Sequence, residues 1–375
     1  MRTLFINALA VLTLASCADR PHTITVHNDS SVAADGEIVE VAVADVPLLR
    51  DGKEIKLMLG DEEVPYQLTH DSLLIFPATA AAGDSAIYTI VEGIPAPVDT
   101  LVYGRLFPER KDDMAWENDR SAYRAYGPAL QASGERAFGY DIWTKSVATP
   151  VLEKRMHDDI VNHISFHVDH GEGMDVYAVG PTLGGGTAAL LDSAGSIVYP
   201  YCFTEHKILD AGPLRFSVEL SYGDSTAESR VITLDRGSWL NRTTVRFDGK
   251  LPAGAQIAPG IVVHRQNPEG YTLDAEHGFM AYADSTENAA NGNGVIFCGI
   301  VAPDAAGFQY TPSAEPAGDA IGHILAPAPY TRGENYTYWW GSAWSKGGMP
   351  DMKAWEQTLA DFRTRLNNPL RVTVE

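Results

Sequence analysis

The sequence predicts an all-β protein. Short runs of strand-forming residues recur from residue 23 to the end, and Gly, Asn and Asp turns separate them at close spacing. Helical periodicity appears only once in the mature chain, close to the C-terminus.

The elements follow in chain order. Met1-Arg2 supplies one positive charge, an apolar run extends from Leu4 to Leu14, and Ala15-Ser16-Cys17 closes the segment. A basic start, a short apolar stretch and small residues form a signal-peptide pattern. The run falls short of the ~20 residues a spanning helix needs. Residues 1–17 are therefore expected to be a lipoprotein leader, with Cys17 acylated as the anchor. No acidic run follows Cys17, so the expected placement is periplasm-facing and membrane-anchored. Residues 23–97 read as a small N-terminal β-sandwich region, with strand patterns at Ile24-Thr25-Val26-His27, at Glu37 to Val43 and at Ser85 to Ile90. Pro95 to Pro97 marks a boundary. Residues 98–375 form the main domain, with strand runs at Ser165 to Val168, Arg215 to Leu220, Thr243 to Phe247 and Gly294 to Cys298. Trp355, Leu359, Phe362 and Leu366 recur at helical spacing and predict one helix over Met352 to Leu366. Asn367-Asn368-Pro369 ends it, and Leu370 to Val374 reads as a final strand.

Composition excludes some classes of function. A net charge of −21 argues against nucleic acid, which selects clustered Lys and Arg. With Cys17 lipidated, two cysteines remain, Cys202 and Cys298. They lie in apolar strand-like segments, and their spacing suits no zinc ribbon. An oxidising compartment would allow them to pair, but at 96 residues apart in such segments two buried free thiols are expected.

Four segments are dense in chemistry. In Glu109 to Gly127, Trp116, Tyr123 and Tyr126 offer flat faces, while Arg120 and Arg124 offer planar forks for a carboxylate. Glu117 and Asp119 stand among them. Aromatic faces beside charged hydrogen-bonding groups suit a sugar, whereas a solvated connector is the bland alternative. In Asn162 to Tyr177, His163, Ser165 and His167 have the period of a strand face. His170 and Glu172 lie in a Gly-containing turn, and Asp175 and Tyr177 share the next strand. Histidines beside carboxylates can transfer protons, and such a set could also hold a divalent metal, Ca or Zn. Gly180 to Thr187 lacks the ending of a phosphate loop and reads as a backbone approach to a ligand or to a neighbouring strand. In Tyr336 to Lys346, Tyr336, Tyr338 and Trp340 alternate onto one face, with Trp344 beyond, as core or as sugar platform. His264, with His206 and Arg215, is a candidate for the same cleft.

Lys111-Asp112-Asp113-Met114-Ala115-Trp116-Glu117-Asn118-Asp119-Arg120, His170 to Gly180 with Gly184-Gly185-Gly186, and Trp340-Gly341-Ser342-Ala343-Trp344-Ser345-Lys346 together resemble a bacterial domain family of unknown function. The resemblance covers residues 23–375. It implies a galactose-mutarotase-like β-supersandwich encoded among polysaccharide-utilisation genes, often near unsaturated-uronate hydrolases. It implies no reaction.

Three functions follow as expectations. The first is a lyase or hydrolase acting on uronic-acid-containing oligosaccharides from plant or host glycans. Tyr177 or His170 would be its base and Arg120 or Arg124 its carboxylate neutraliser, or Glu117, Asp119, Glu172 and Asp175 would supply a carboxylate pair. The second is a mutarotase-like epimerase or isomerase on released uronates. The third is a non-catalytic glycan-binding lipoprotein. Trp116, Tyr123, Arg124, Tyr126, His167, Glu172, His264, Trp340 and Trp344 are the expected sugar contacts.

Overall fold

A computed structural model describes residues 22–375 except residue 224; Cys17 and the expected leader lie outside the described residues. The chain is mostly β. Its strands form five sheets whose ladders run antiparallel.

Two small sheets make an N-terminal sandwich. One aligns Arg371–Val374, His22–His27, Ser85–Glu92, Ile55–Leu59 and Glu62–Val64; the other aligns Ala34–Ala42, Leu73–Ala80 and Gln67–Leu68. Alternation of side chains sends Ile24, Val26, Leu57, Phe76 and Tyr88 into one shared core. Both ends of the described chain meet here, because the final strand pairs with the first through Ile24–Val374 and Val26–Val372.

Two large sheets make the main sandwich. The eight-stranded sheet runs Glu205–Ala211, Arg215–Ser221, Glu228–Asp235, Leu240–Phe247, Tyr336–Trp344, Ile296–Val301, Phe279–Asp284 and Tyr271–Asp274. The six-stranded sheet includes Gly185–Leu191, Gln256–His264 and Ala320–Leu325. Phe216, Ile232, Val245, Ile261, Met280 and Ile300 belong to one continuous core between them. A four-stranded sheet, in the order Asp141–Trp143, Ala122–Ala125, Asp113–Glu117 and Tyr103–Phe107, adds Trp116 and Tyr123 to that core.

The expected helix forms over Met352–Asn367, with the Asp351 side chain accepting the Ala354 N–H at its start. Trp355 and Leu359 are fully buried against Phe279, Phe297 and Ala343 of the eight-stranded sheet. Each such burial stabilises by about 1.5–3 kcal/mol.

Two local readings are corrected. Residues 165–168 form turns, not a strand, so His163, Ser165 and His167 do not share a strand face. Phe166 turns inward onto Trp143, with ring centroids 4.6 Å apart, and the Val168 N–H closes back on the Ser165 carbonyl. The helix Leu152–Ile160 has no counterpart among the sequence expectations; Leu152, Arg155 and Met156 form its buried face. The glycine-rich loop serves a neighbouring strand: the Gly185 N–H bonds the Tyr140 carbonyl at 2.9 Å, and a Cβ on Gly186 would lie 2.7 Å from the Trp340 ring. Cys202 and Cys298 are buried free thiols.

Candidate functional site

Register brings the site together. Ala122–Ala125 lies between Asp113–Glu117 and Asp141–Trp143, placing Arg124 directly opposite Asp141 on one side and opposite Ala115 on the other. Asp113, two residues from Ala115, shares the face of Arg124. A single bridge from Trp143 to Asp175 then delivers a third carboxylate. The Arg124 guanidinium lies 2.6 Å from Asp141, 3.2 Å from Asp175 and 3.4 Å from Asp113. Tyr126, Trp143 and Phe166 surround it, with ring centroids 5.0, 5.2 and 6.0 Å away. The Trp143 indole N–H also donates to Asp141 at 2.9 Å.

The charges in this cluster do not balance. Three carboxylates face one guanidinium, with Arg110 acting from farther off on Asp113 and Asp175. Asp113 Oδ1 is buried without a hydrogen-bond partner. Burial pushes the Asp113 carboxyl up to about 6, more than Arg124 pulls it down. Burial and the neighbouring Asp141 push Asp175 well above the ordinary carboxylate range. Burial alone would lower Arg124, but the acidic groups around it hold it far above its usual value, so it stays charged. A carboxyl in this set therefore keeps a proton at a pH where an exposed one has lost it.

All of these groups are buried, and they differ only in a few per cent of residual exposure. Asp113 and Asp141 are fully closed, at 0 %, whereas Arg124, Asp175, Tyr177 and His264 retain 5, 2, 4 and 4 %. Tyr126 is half-buried, and His167 stands exposed over Asp175, with its Nδ1 2.8 Å from the Asp175 carbonyl oxygen and 3.9 Å from the carboxylate. Asp175 and Tyr177 leave one segment that is not the expected strand: it is joined to Trp143 by an isolated bridge at Asp175. The Tyr177 ring meets His264 at 6.0 Å, and His264 Nδ1 lies 2.6 Å from Asp284. The loop after Asp284 returns to the same place, since the Glu287 N–H bonds the Val176 carbonyl at 2.8 Å. Burial would lower the His264 pKa, but the Asp284 hydrogen bond and charge outweigh it and raise it. The Tyr177 hydroxyl is buried beside Cys298 and makes no hydrogen bond of ordinary geometry. Burial holds it far above the usual phenol range, so it is neutral and no base near neutrality.

Of the expected site residues, the structure thus brings together Arg124, Tyr126, His167, Asp175, Tyr177 and His264. It places the others elsewhere. Trp116, Tyr123 and Trp340 are core, and Trp340 stacks on Tyr140 at 4.3 Å with ring planes 9° apart. Trp344 is buried, its indole N–H spent on the Asn293 carbonyl. Glu117 is fully buried, accepts the Val151 and Leu152 N–H groups at the start of the helix Leu152–Ile160, and holds Lys145 Nζ at 2.6 Å. Asp119 accepts the Gly237 N–H at 2.7 Å, and exposed Arg120 lies over the Trp239 ring at 4.8 Å. His170 is exposed on a turn, 3.1 Å from the Ser165 carbonyl, and Glu172 pairs with Lys154 at 2.9 Å. Sequence reasoning does not single out Asp113, Asp141 or Asp284. The available signal is register: Asp113 and Asp141 become neighbours of Arg124 only once the three strands are paired. Among the described residues no three His, Cys, Asp or Glu side chains are grouped to hold a metal ion, and Arg124 fills the space between the three aspartates.

Comparison with known proteins gives a family. An uncharacterized protein, P7, of Formosa agariphila is 26% identical over 406 aligned positions, covering 99% of this chain and 98% of that protein. Among solved structures, a protein in the glycosyl hydrolase family 38 from Enterococcus faecalis aligns with a TM-score of 0.49 at 8% identity, covering 96% of this chain and 48% of that one. An alpha-mannosidase from Enterococcus faecalis V583 aligns with a TM-score of 0.47 at 8% identity, covering 95% of this chain and 46% of that one. The chain spans about half the length of each of these two structures. Residues 26–372 match the family described as a domain of unknown function, DUF4861, and the chain belongs to that family.

Proposed function

We propose that this protein is a carbohydrate-active enzyme that moves protons on a sugar ring, in the manner of an aldose epimerase or mutarotase. The observation that carries the reading is the unbalanced Arg124 cluster, whose least enclosed carboxylate, Asp175, has a pKa well above the ordinary range. A proton-transfer group works best when its pKa lies near the working pH. His264, tuned by Asp284 and in ring contact with Tyr177 two residues along from Asp175, is the second proton carrier. Ring opening of an aldose needs one group to protonate the ring oxygen and another to take the proton of the anomeric hydroxyl. Asp175 and His264 fill these roles, with His167 and Tyr126 at the rim.

The same geometry weighs against uronate elimination here. A lyase must neutralise the substrate carboxylate. Arg124 already meets three carboxylates, and the excess negative charge repels a fourth. A double-carboxylate hydrolase would need two carboxylates that reach the substrate, and Asp113 and Asp141 are fully enclosed.

The test is anomeric exchange of a panel of neutral aldoses and free uronates, followed by magnetisation transfer in NMR. Acceleration by the wild-type chain is expected, with a loss of at least about 100-fold in Asp175→Asn. New ultraviolet absorbance or new reducing ends without faster exchange would replace this reading with a lyase or a hydrolase. A lipid anchor at Cys17, facing the periplasm, would place the enzyme where imported oligosaccharides arrive; metabolic labelling with palmitate, lost in Cys17→Ser, tests it.

A further inference from the structure

We propose a second, non-catalytic saccharide site, selective for acidic sugars, in the cleft between the N-terminal sandwich and the main sandwich. The cleft has a volume of about 520 Å³ and is walled by the strand Ala34–Ala42, by the strands Arg215–Ser221, Glu228–Asp235 and Leu240–Phe247, and by the C-terminal helix. That size suits a small ligand.

Its surfaces are of two kinds. Trp239, Trp339 and Phe362 line it with aromatic rings, the last two with centroids 6.0 Å apart. Trp239 and Trp339 are both half-buried, and Trp239 also carries Arg120 over its ring at 4.8 Å. Flat apolar rings of this kind match the C–H faces of a pyranose. Aliphatic side chains add to that surface, and four guanidiniums share the cleft with Asp35, Glu37, Glu40 and Asp235, where the pairing is uneven. Arg215 takes Glu40 at 2.7 Å and Asp235 at 2.6 Å, and Arg365 takes Glu37 at 3.1 Å. Arg242 reaches Glu40 only at 3.6 Å, on an oxygen that Arg215 already holds. Arg236 also lines the cleft and, among the described residues, pairs with no carboxylate.

Arg242 stands opposite Trp339 across the paired strands, and Arg236 lines the same cleft, on a chain with a net charge of −21. A planar fork can bind a carboxylate or a sulfate through two parallel hydrogen bonds. The cleft thus offers stacking for the ring and a fork for its acidic substituent. The cluster around Arg124 offers the reverse, an excess of carboxylates. The acidic part of a glycan is held at the cleft, apart from the place where protons are moved, and the inference does not depend on the reaction proposed above.

The experiment is calorimetric titration of the full chain with a galacturonate trisaccharide, with its carboxyl-reduced neutral counterpart, and with a sulfated galactose trisaccharide. Binding of at least one acidic probe is expected, with the neutral one at least about tenfold weaker, as the loss of a charge-assisted bidentate contact implies. Whichever acidic probe binds tighter identifies the anion. Arg242→Ala, half-exposed and held by one long contact, should keep the fold and weaken the acidic probe about tenfold. Trp239→Ala should weaken acidic and neutral probes alike. Asp175→Asn should bind as the wild type does, which separates this site from the catalytic reading. Equal binding of acidic and neutral probes, no binding of either acidic probe, or unchanged affinity in Arg242→Ala would each overturn the proposal.

Discussion

Two buried ionic groups lie within a few residues of each other on neighbouring strands, and they differ in one respect. Around Glu117 the central pair is satisfied, although Arg155 beside it keeps one buried nitrogen, Nη1, without a partner. The carboxylate receives the Lys145 ammonium and two helix N–H groups, and the same ammonium donates to the Asn118 carbonyl. Around Arg124 the sum does not close: three aspartates share one guanidinium, and one carboxylate oxygen has no partner. Composition does not distinguish the two, since both are acids and bases on strands of the same small sheet. Saturation does. A closed set of charges is a strut, whereas an open set holds a proton that can be exchanged.

Breaking the strut should produce the largest effect on stability. In Glu117→Ala the Lys145 ammonium loses its counter-charge inside the protein, and the helix Leu152–Ile160 loses the acceptor at its first N–H groups. The removal of one partner from a buried pair costs about 3–5 kcal/mol. Burial already lowers the pKa of Lys145, so the variant should lose part of the cost by releasing that proton, and its deficit should shrink at high pH. Denaturant unfolding at two pH values measures this; a loss below about 1 kcal/mol would show that the pair is no strut.

Asp113→Asn probes the other group, and its effect should depend on pH. The folded carboxyl titrates at about 6, above its ordinary value of 3.8. Between those values the folded chain retains a proton that the unfolded chain has released, so stability falls as pH rises through this window. Above it the folded chain carries the buried charge and the loss is complete. A shift of this size corresponds to about 3 kcal/mol. Asparagine does not titrate. Relative to the wild type, the variant should therefore gain by about that amount between about pH 4 and about pH 7. A stability difference that is flat with pH would place Asp113 with Glu117, as a satisfied group.

Much of the fold is legible in the sequence, and the cluster is not, for a physical reason. Strand runs such as Arg215 to Leu220 and the helix carrying Trp355 and Leu359 follow from the spacing of apolar residues, which is a local property. The two endpoints of the open cluster, Arg124 and Asp175, also stand out, because they lie in segments dense in charge. Asp113 and Asp141 matter only because antiparallel pairing sets them beside Arg124, and register is not written in any single strand. The string from Trp116 to Arg120 shows the opposite error. Its density of aromatic and charged residues reads as a binding face, yet Trp116 is core, Glu117 a strut, and Asp119 a tie to the Gly237 turn. Such a string is demanding to satisfy inside a protein, and that alone makes it distinctive.

The smallest effect is expected where that string reaches the surface. Arg120 is exposed, lies over the Trp239 ring and is 3.8 Å from Asp119. An exposed cation over a ring contributes about 0.5–1 kcal/mol, and a surface ion pair no more. Neither contact reaches Arg124, Asp175 or His264. Arg120→Ala should therefore cost no more than about 1 kcal/mol in unfolding and leave anomeric exchange unchanged. His170→Ala should behave likewise, because among the described residues its ring bonds the Ser165 carbonyl alone, on an exposed turn. If either variant abolished exchange while unfolding normally, proton transfer would have to be sought along the surface turn or the Trp239 loop, and the open charge cluster would be a structural feature after all.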